Sequence, residues 1–214
     1  MRVAELILGS ILAGIGLTAM VVLLPFTPIW LGGILLTVGF MAFSFGRSIA
    51  LRGVLEARTG WRVALERVCL DAGFFAILLT AIVLGPATAA VGLAKGSALA
   101  TFGGIIVQWL MVFLFVYLGM ELFWAGVKIV GEGKTAVEAA IESAQIWRQR
   151  PWPAVKGLIL VVGAYAIIFT LGGVLAQRAP ASIAPWLFTL TATASVLLGE
   201  YIYGTLAMRE LFKE

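Results

Sequence analysis

Apolar residues run along this chain in six long blocks, separated by short polar punctuation. The blocks are about Leu6–Leu24, Ile29–Gly46, Gly73–Leu93, Ala98–Trp124, Ala154–Leu175 and Trp186–Leu206. The hydrocarbon core of a bilayer is about 30 Å thick and takes roughly 20 apolar residues of helix at about 1.5 Å each. Charge-free runs of this length do not occur in soluble cores. The pattern therefore predicts an all-α, polytopic membrane protein with six transmembrane helices. Most of the 214 residues lie in these runs, so a single membrane domain over 1–214 is expected.

Charge then orients the blocks. Thirteen of the fifteen Lys and Arg residues fall into four patches that alternate with the runs. Arg2 opens the chain, and Pro25-Phe-Thr-Pro28 is an uncharged turn after the first block. A basic stretch follows, with Arg47, Arg52, Arg58, Arg62 and Arg67. The third link holds only Lys95, and the fifth only Arg178. The long fourth link holds Lys128, Lys134, Arg148, Arg150 and Lys156, and Arg209 and Lys213 close the chain. Lys/Arg-rich loops stay in the cytoplasm, so both long loops and both termini are expected there. Six spans require the termini to share a side, which agrees. Trp30 and Trp186 fall at outer span ends, and Trp61, Trp124, Trp147 and Trp152 near inner ends, as interfacial anchors. Trp109 falls mid-span, where it packs in the bundle or faces lipid. The first run follows only Met1-Arg2 and has no small-x-small cleavage site, so it reads as a retained span.

The two long loops carry amphipathic helices. Thr135-Ala-Val-Glu138 is a capping box, in which Thr satisfies one free N–H and Glu reaches back to another. It predicts a helix over 136–149 with Val137, Ile141 and Ala144 as an apolar stripe. Pro151-Trp-Pro153 stops it. In the first loop Arg58-Thr59, Trp61, Ala64, Leu65, Glu66 and Val68 match residues 76 positions later. The same offset superposes the second and third spans on the fourth and fifth. Tandem hairpins over 29–93 and 105–175 are one reading, and chance similarity of two amphipathic helices is the other. Such helices lie on the inner membrane surface with basic residues toward anionic headgroups, or pack on the bundle end. The expected basic surface comprises Arg52, Arg58, Arg62, Lys134, Arg148 and Arg150.

Composition removes several chemistries. With no His, no imidazole is present for haem, zinc or acid–base work. Cys69 is the only Cys, so intramolecular disulfides and thiolate clusters are excluded. Asp71 is the only Asp, and Asn is absent, which suits a thermophilic source or plain compositional drift. No nucleotide loop, nucleophile elbow or metal motif occurs, so neither an enzyme nor a cofactor is expected. The net charge of +4 suits anionic lipid and needs no nucleic acid. The expected location is the plasma membrane of a prokaryote.

Ionisable groups inside spans are functional candidates by default. Asp71 sits one turn past Arg67, at the inner edge of the third span, and is expected to pair with it. Glu121 lies about 10 Å inside its helix end, on a face with Tyr117, Trp124 and Lys128. Glu200 lies about 13 Å in and continues a stripe through Thr189, Thr193 and Tyr203. Either this stripe and Gln108 line a hydrated path with Glu200 as a proton or cation site, or they bond helices together. Gly32-Gly33, Gly103-Gly104 and Gly172-Gly173 read as close helix packing or as helix breaks, and Pro86 as a kink.

Ala139-Ala140-Ile141-Glu142-Ser143, followed by Ile146-Trp147-Arg148 and a span, resembles the six-helix membrane domains fused to some glycerophosphodiester phosphodiesterases and their stand-alone relatives. The resemblance covers about residues 47–175. It implies the architecture and an accessory membrane role, with no catalytic domain or catalytic residues. At the position that should repeat Ser143, this chain has Arg67. The expected function is a non-enzymatic scaffold or accessory component with a membrane or cytoplasmic protein partner. The alternative is a small-solute or ion transporter or channel using Glu200 and the Thr189/Thr193 stripe.

Overall fold

The computed structural model describes residues 1–23, 27–57, 60–180 and 182–212, without the side chains at 22–23, 29–30, 78–79 and 81–85. Pro25, Phe26, Arg58, Thr59, Lys213 and the side chain of Trp30 thus lie outside the described set. The described residues form eight α-helices and no strand. They are α1 (Val3–Thr18, continued by a π-helical turn, Ala19–Leu23), α2 (Ile29–Leu55), α3 (Trp61–Ala94) and α4 (Ala98–Glu121). The others are α5 (Ala125–Glu132), α6 (Ala136–Gln149), α7 (Pro151–Arg178) and α8 (Ala184–Glu210). Four stretches, Val3–Val21, Leu31–Leu55, Ala98–Glu132 and Pro151–Arg178, are long and apolar enough to cross a membrane. In the most apolar window of the last two, only 6% is buried, and large residues such as Ile106, Phe113, Ile159 and Ile167 face outward. An apolar surface of that extent is compatible with a lipid surround.

Small residues decide the helix pairing. Gly9 and Gly16 of α1 face Gly46 and Gly39 of α2 in antiparallel register. A Cβ on Gly9 would lie 2.3 Å from Ala50 N, and one on Gly16 2.4 Å from Gly39 O. Gly39, Gly46 and Gly53 recur every seven residues, two turns apart, so one side of α2 lets the α1 backbone approach throughout. α8 then packs on α1, with Thr193 under Gly14, and α7 packs on α8, with Thr191 under Gly172. The result is a contiguous layer of α2, α1, α8 and α7, in which α2 also meets α8 directly, with Val54 against Gly204. α3 and α4 form a separate tight hairpin, closed by Gly92 against Thr101, that meets the layer more sparsely.

The glycine pairs divide. Gly172 receives a neighbouring side chain, whereas Gly33, Gly103 and Gly173 have nothing within 4 Å of a would-be Cβ. Pro86 lies inside α3, whose helix runs on to Ala94.

Met1 and Phe212, the first and last described residues, reach the same end of the bundle. The Met1 ammonium pairs with Glu56, Arg2 N donates to Gly53 O at 2.8 Å, and Phe212 reaches Gly131 beside Leu55. The charged links converge there too, and some are built differently from the expectation. The first amphipathic segment is no separate helix: Trp61 begins α3, which runs unbroken for 34 residues. The expected span ending at Trp124 stops at Glu121, and α5 follows with Val127, Ile129 and Val130 fully buried. Trp124 is 0% exposed, a core residue against Phe123 and Tyr203, not an interfacial anchor. The break also splits the expected common face, since Tyr117 is exposed while Trp124 is buried.

α6 has the expected bounds and capping box. Glu138 N donates to Thr135 Oγ1 at 3.3 Å, and Thr135 N to Glu138 Oε2 at 3.1 Å. A second acid reinforces this end, since Ala136 N donates to Glu66 Oε2 of α3 at 2.8 Å. Its buried face is Ala139 and Ser143, whereas Val137 and Ile141 of the expected stripe are exposed.

Candidate functional site

Four charged side chains from three helices meet inside the bundle. α2 supplies Ser44 and Arg47, α3 supplies Arg67 and Asp71, and α8 supplies Glu200. Arg47 Nε donates to Glu200 Oε1 at 2.5 Å, and Arg47 Nη1 to Asp71 Oδ1 at 3.4 Å. Arg67 Nε donates to the same Asp71 oxygen at 3.2 Å, the i, i+4 pair expected from sequence. Ser44 Oγ donates to Asp71 Oδ2 at 2.6 Å. The Arg47 guanidinium also lies 5.5 Å from the Phe43 ring centroid, within cation–π range.

Burial makes this cluster unusual. Glu200 is 1% exposed and Arg67 3%, although Arg67 and Arg47 read in the sequence as part of a basic inner loop. Arg67 is accommodated because α5 has Gly126 beside it; a Cβ there would sit 1.8 Å from Nη1. Arg67 Nη1 and Glu200 Oε2 make no hydrogen bond within the protein. A buried charge without a partner is expensive, and here two positive and two negative groups balance. They also balance within each half: Arg67 and Asp71 share the α3–α4 hairpin, and Arg47 and Glu200 share the four-helix layer. Within this cluster, Arg47–Asp71 and Ser44–Asp71 cross between the halves.

The cluster lines a cavity of about 400 Å³ at the centre of the molecule. The π-helical turn after α1 contributes Met20, α2 Phe40 and Phe43, α4 Phe115 and Gly119, and α7 Leu158. With Asp71 of α3 and Glu200 of α8, all six long helices reach it. The rest of the wall is almost wholly apolar and aromatic, the usual make-up of a small-molecule site.

The remaining sequence candidates scatter. Tyr203 joins this wall, buried, with its hydroxyl donating to Phe123 O. Thr189 and Thr193 do not line the cavity: Thr18 Oγ1 donates to Thr189 Oγ1 at 3.1 Å, and Thr193 packs on Gly14. That is the helix-bonding role, made in close contact with α1. Gln108 and Trp109 are exposed on α4. Glu121 is half-buried and lies 3.9 Å from Arg148, near the helix break. Of the expected basic surface, Arg52 pairs with Glu5 at 3.0 Å, and Lys134 is held by Glu132 and Glu142. Arg62, Arg148 and Arg150 are exposed. Among the described residues no group of three His, Cys, Asp or Glu could hold a metal ion.

Sequence reasoning found Glu200, Tyr203 and the Arg67–Asp71 pair, and missed Arg47. The available signal was spacing. Arg47 ends an apolar run, yet eight more helical residues follow through Leu55, so it lies about 12 Å inside the helix end.

No family model, curated protein or solved structure matches this chain.

Proposed function

We propose that this is a six-span integral membrane protein that binds a small amphipathic molecule in its central cavity and carries it across the bilayer. In this reading α1, α2, the C-terminal part of α3, α4, α7 and α8 cross the membrane. Both termini and the charged end face the cytoplasm of a prokaryotic cell, because that end holds the Lys/Arg patches. The observation that carries the proposal is the cavity of about 400 Å³ reached by six helices, with two buried ion pairs on its wall. Spans seldom retain such groups without a polar task. The division into a neutral hairpin and a neutral layer supports movement between them. Separation leaves each half's own ion pair intact and gives up the 3.4 Å Arg47–Asp71 contact, the Ser44–Asp71 hydrogen bond and the Tyr203–Phe123 hydrogen bond.

The scaffold reading draws less support. α6 is tied to the bundle by Ser143 and Glu66, and Lys134 is committed to two glutamates. What favours it is the exposed apolar pair Val137 and Ile141 on α6, which would seat a partner or lie on lipid.

The test is a substitution that fills the cavity. Gly119 lines it, and a Cβ there meets nothing within 4 Å. Short amphiphiles should raise the unfolding temperature of the purified protein and should not do so for Gly119→Leu. The stabilising compound should then enter proteoliposomes bearing wild type and not those bearing the variant. Ligand responses that ignore Gly119→Leu would sink the carrier reading and raise the scaffold. Topology has its own check in a Cys69→Ser background. Cysteines at Ala98 and Ser182 should label from outside intact cells, and one at Thr135 should not.

A further inference from the structure

The charge arithmetic of the cavity wall goes one step further and rests on the carrier reading. We infer that the cavity selects a small amphiphile with no net charge, whose head carries both a donor and an acceptor. An uncharged amide or a zwitterion meets that description; a simple carboxylate or alkylammonium does not.

The wall holds Arg47, Arg67, Asp71 and Glu200, so its formal charge is zero. The rest of the wall is apolar and aromatic, so an added net charge finds no counter-charge there. Which groups a ligand meets follows from their exposure. The Arg67 and Glu200 side chains are 4% and 1% exposed, whereas Arg47 retains 22% and Asp71 8%. Arg47 commits Nε to Glu200 and Nη1 to Asp71, which leaves Nη2 outside both bonds. The accessible polar surface is therefore a guanidinium edge beside a carboxylate. A head with an acceptor and a donor satisfies both at once, and an ion of either sign satisfies one and is repelled by the other. The apolar body lies along Phe40, Phe74, Phe75 and Phe115.

The experiment uses the full chain in maltoside micelles, with four eight-carbon probes followed by titration calorimetry. The probes are octanamide, zwitterionic 2-aminooctanoic acid, octanoate and octylammonium, each corrected for partition into empty micelles. Octanamide and the zwitterion should bind about tenfold or more tighter than either ion. Removing one charge should redirect the preference. Glu200→Gln leaves the wall at +1 and should favour octanoate, and Arg47→Gln leaves it at −1 and should favour octylammonium. If Glu200→Gln does not fold, Asp71→Asn makes the same change in charge. Gly119→Leu should abolish binding of all four. No binding by wild type, or binding indifferent to Gly119→Leu, would refute the carrier reading and this inference with it. Binding that depends on Gly119 but prefers octanoate or octylammonium, or whose preference is unmoved by the charge changes, would overturn the inference alone.

Discussion

Replacing Ser143 with Ala should destabilise the protein by about 2–3 kcal/mol, more than any ordinary polar contact between membrane helices. Between Glu121 and Ala125 the helical ladder is interrupted. Ala125 N donates to Leu122 O at 3.0 Å, so Glu121 O loses its usual i+4 donor. Ser143 of α6 fills in: its Oγ donates to Glu121 O at 2.9 Å and accepts from Trp124 N at 3.0 Å. The hydroxyl is 0% exposed, so Ala leaves a buried N–H and a buried C=O both unpaired. Each costs about 1–3 kcal/mol, partly relieved by local relaxation. Side-chain bonds between membrane helices average only about 0.6 kcal/mol, because the freed partner finds another. Here the partners are main-chain groups held in a fixed turn, with no such freedom. The internal control is Ser195→Ala. That hydroxyl is equally buried but donates only to Thr191 O in its own helix, at 2.8 Å, a carbonyl already within the helical ladder. Thermal unfolding in detergent should fall by on the order of 5–10 °C for Ser143→Ala and barely move for Ser195→Ala. Amide exchange should accelerate over residues 121–127 in the first variant alone. Equal shifts in the two variants would refute the claim that Ser143 completes the broken ladder.

Three further outcomes follow from the packing and the charges. Gly9→Val forces a Cβ against Ala50 N and should prevent monodisperse extraction. Gly33→Ala, with nothing within 4 Å, should change stability by no more than about 1 kcal/mol; similar behaviour of the two would dismiss the small-residue seam. Glu200→Leu strips Arg47 of its short partner and should cost about 3 kcal/mol, the lower end for a broken buried pair because the Arg47 side chain is 22% exposed. Adding Arg47→Met should recover much of that loss in the same melting assay, and a double variant no better than the single would argue that the pair is not coupled. Hydrogen bonds from the Thr135 backbone N–H and hydroxyl hold the Glu138 carboxyl below its ordinary range. A lowered folded-state pKa gives stability that is present above the unfolded value and lost as pH falls through the folded one. Protection of the amides at the start of α6, taken relative to their intrinsic exchange rate at each pH, should therefore fall at acid pH, and Glu138→Gln should remove that dependence.

Periodicity and caps made the helices legible, and glycine spacing could have revealed their partners. The bounds of α6 follow from one capping box, and the Arg67–Asp71 pair from i, i+4 spacing. Gly39, Gly46 and Gly53 already mark one side of α2 in the sequence, although only the structure assigns that side to α1. Burial was harder to read. Arg47 and Arg67 belong to a charge patch by sequence, and although spacing pairs Arg67 with Asp71, nothing local separates Arg47 from a loop arginine, since its acid Glu200 lies 153 residues away. The Thr189/Thr193 stripe misleads for a related reason. Hydroxyls that line water and hydroxyls that join helices have the same spacing, and the helix opposite decides between them. Here that helix is α1, with Gly14 beneath Thr193.

The position where the two loop segments differ under the 76-residue offset is the most instructive. Residues 67 and 143 are equivalent under the 76-residue offset, one an arginine and the other a serine. In the folded protein both reach the same short stretch of chain. Ser143 bonds the backbone of Glu121 and Trp124, and Arg67 lies against Gly126. Glu66 and Glu142, equivalent in the same way, both reach the start of α6, at Ala136 N and Lys134. Two matching segments thus brace one break and one cap from different sides. A serine in both places would have left Asp71 without its helical partner and the hairpin without a charge balance of its own. The arginine at 67 forms half of a buried ion pair, and Gly126 supplies the room it takes. Without that arginine the polar wall of the cavity would hold Arg47, Asp71 and Glu200 with a net negative charge.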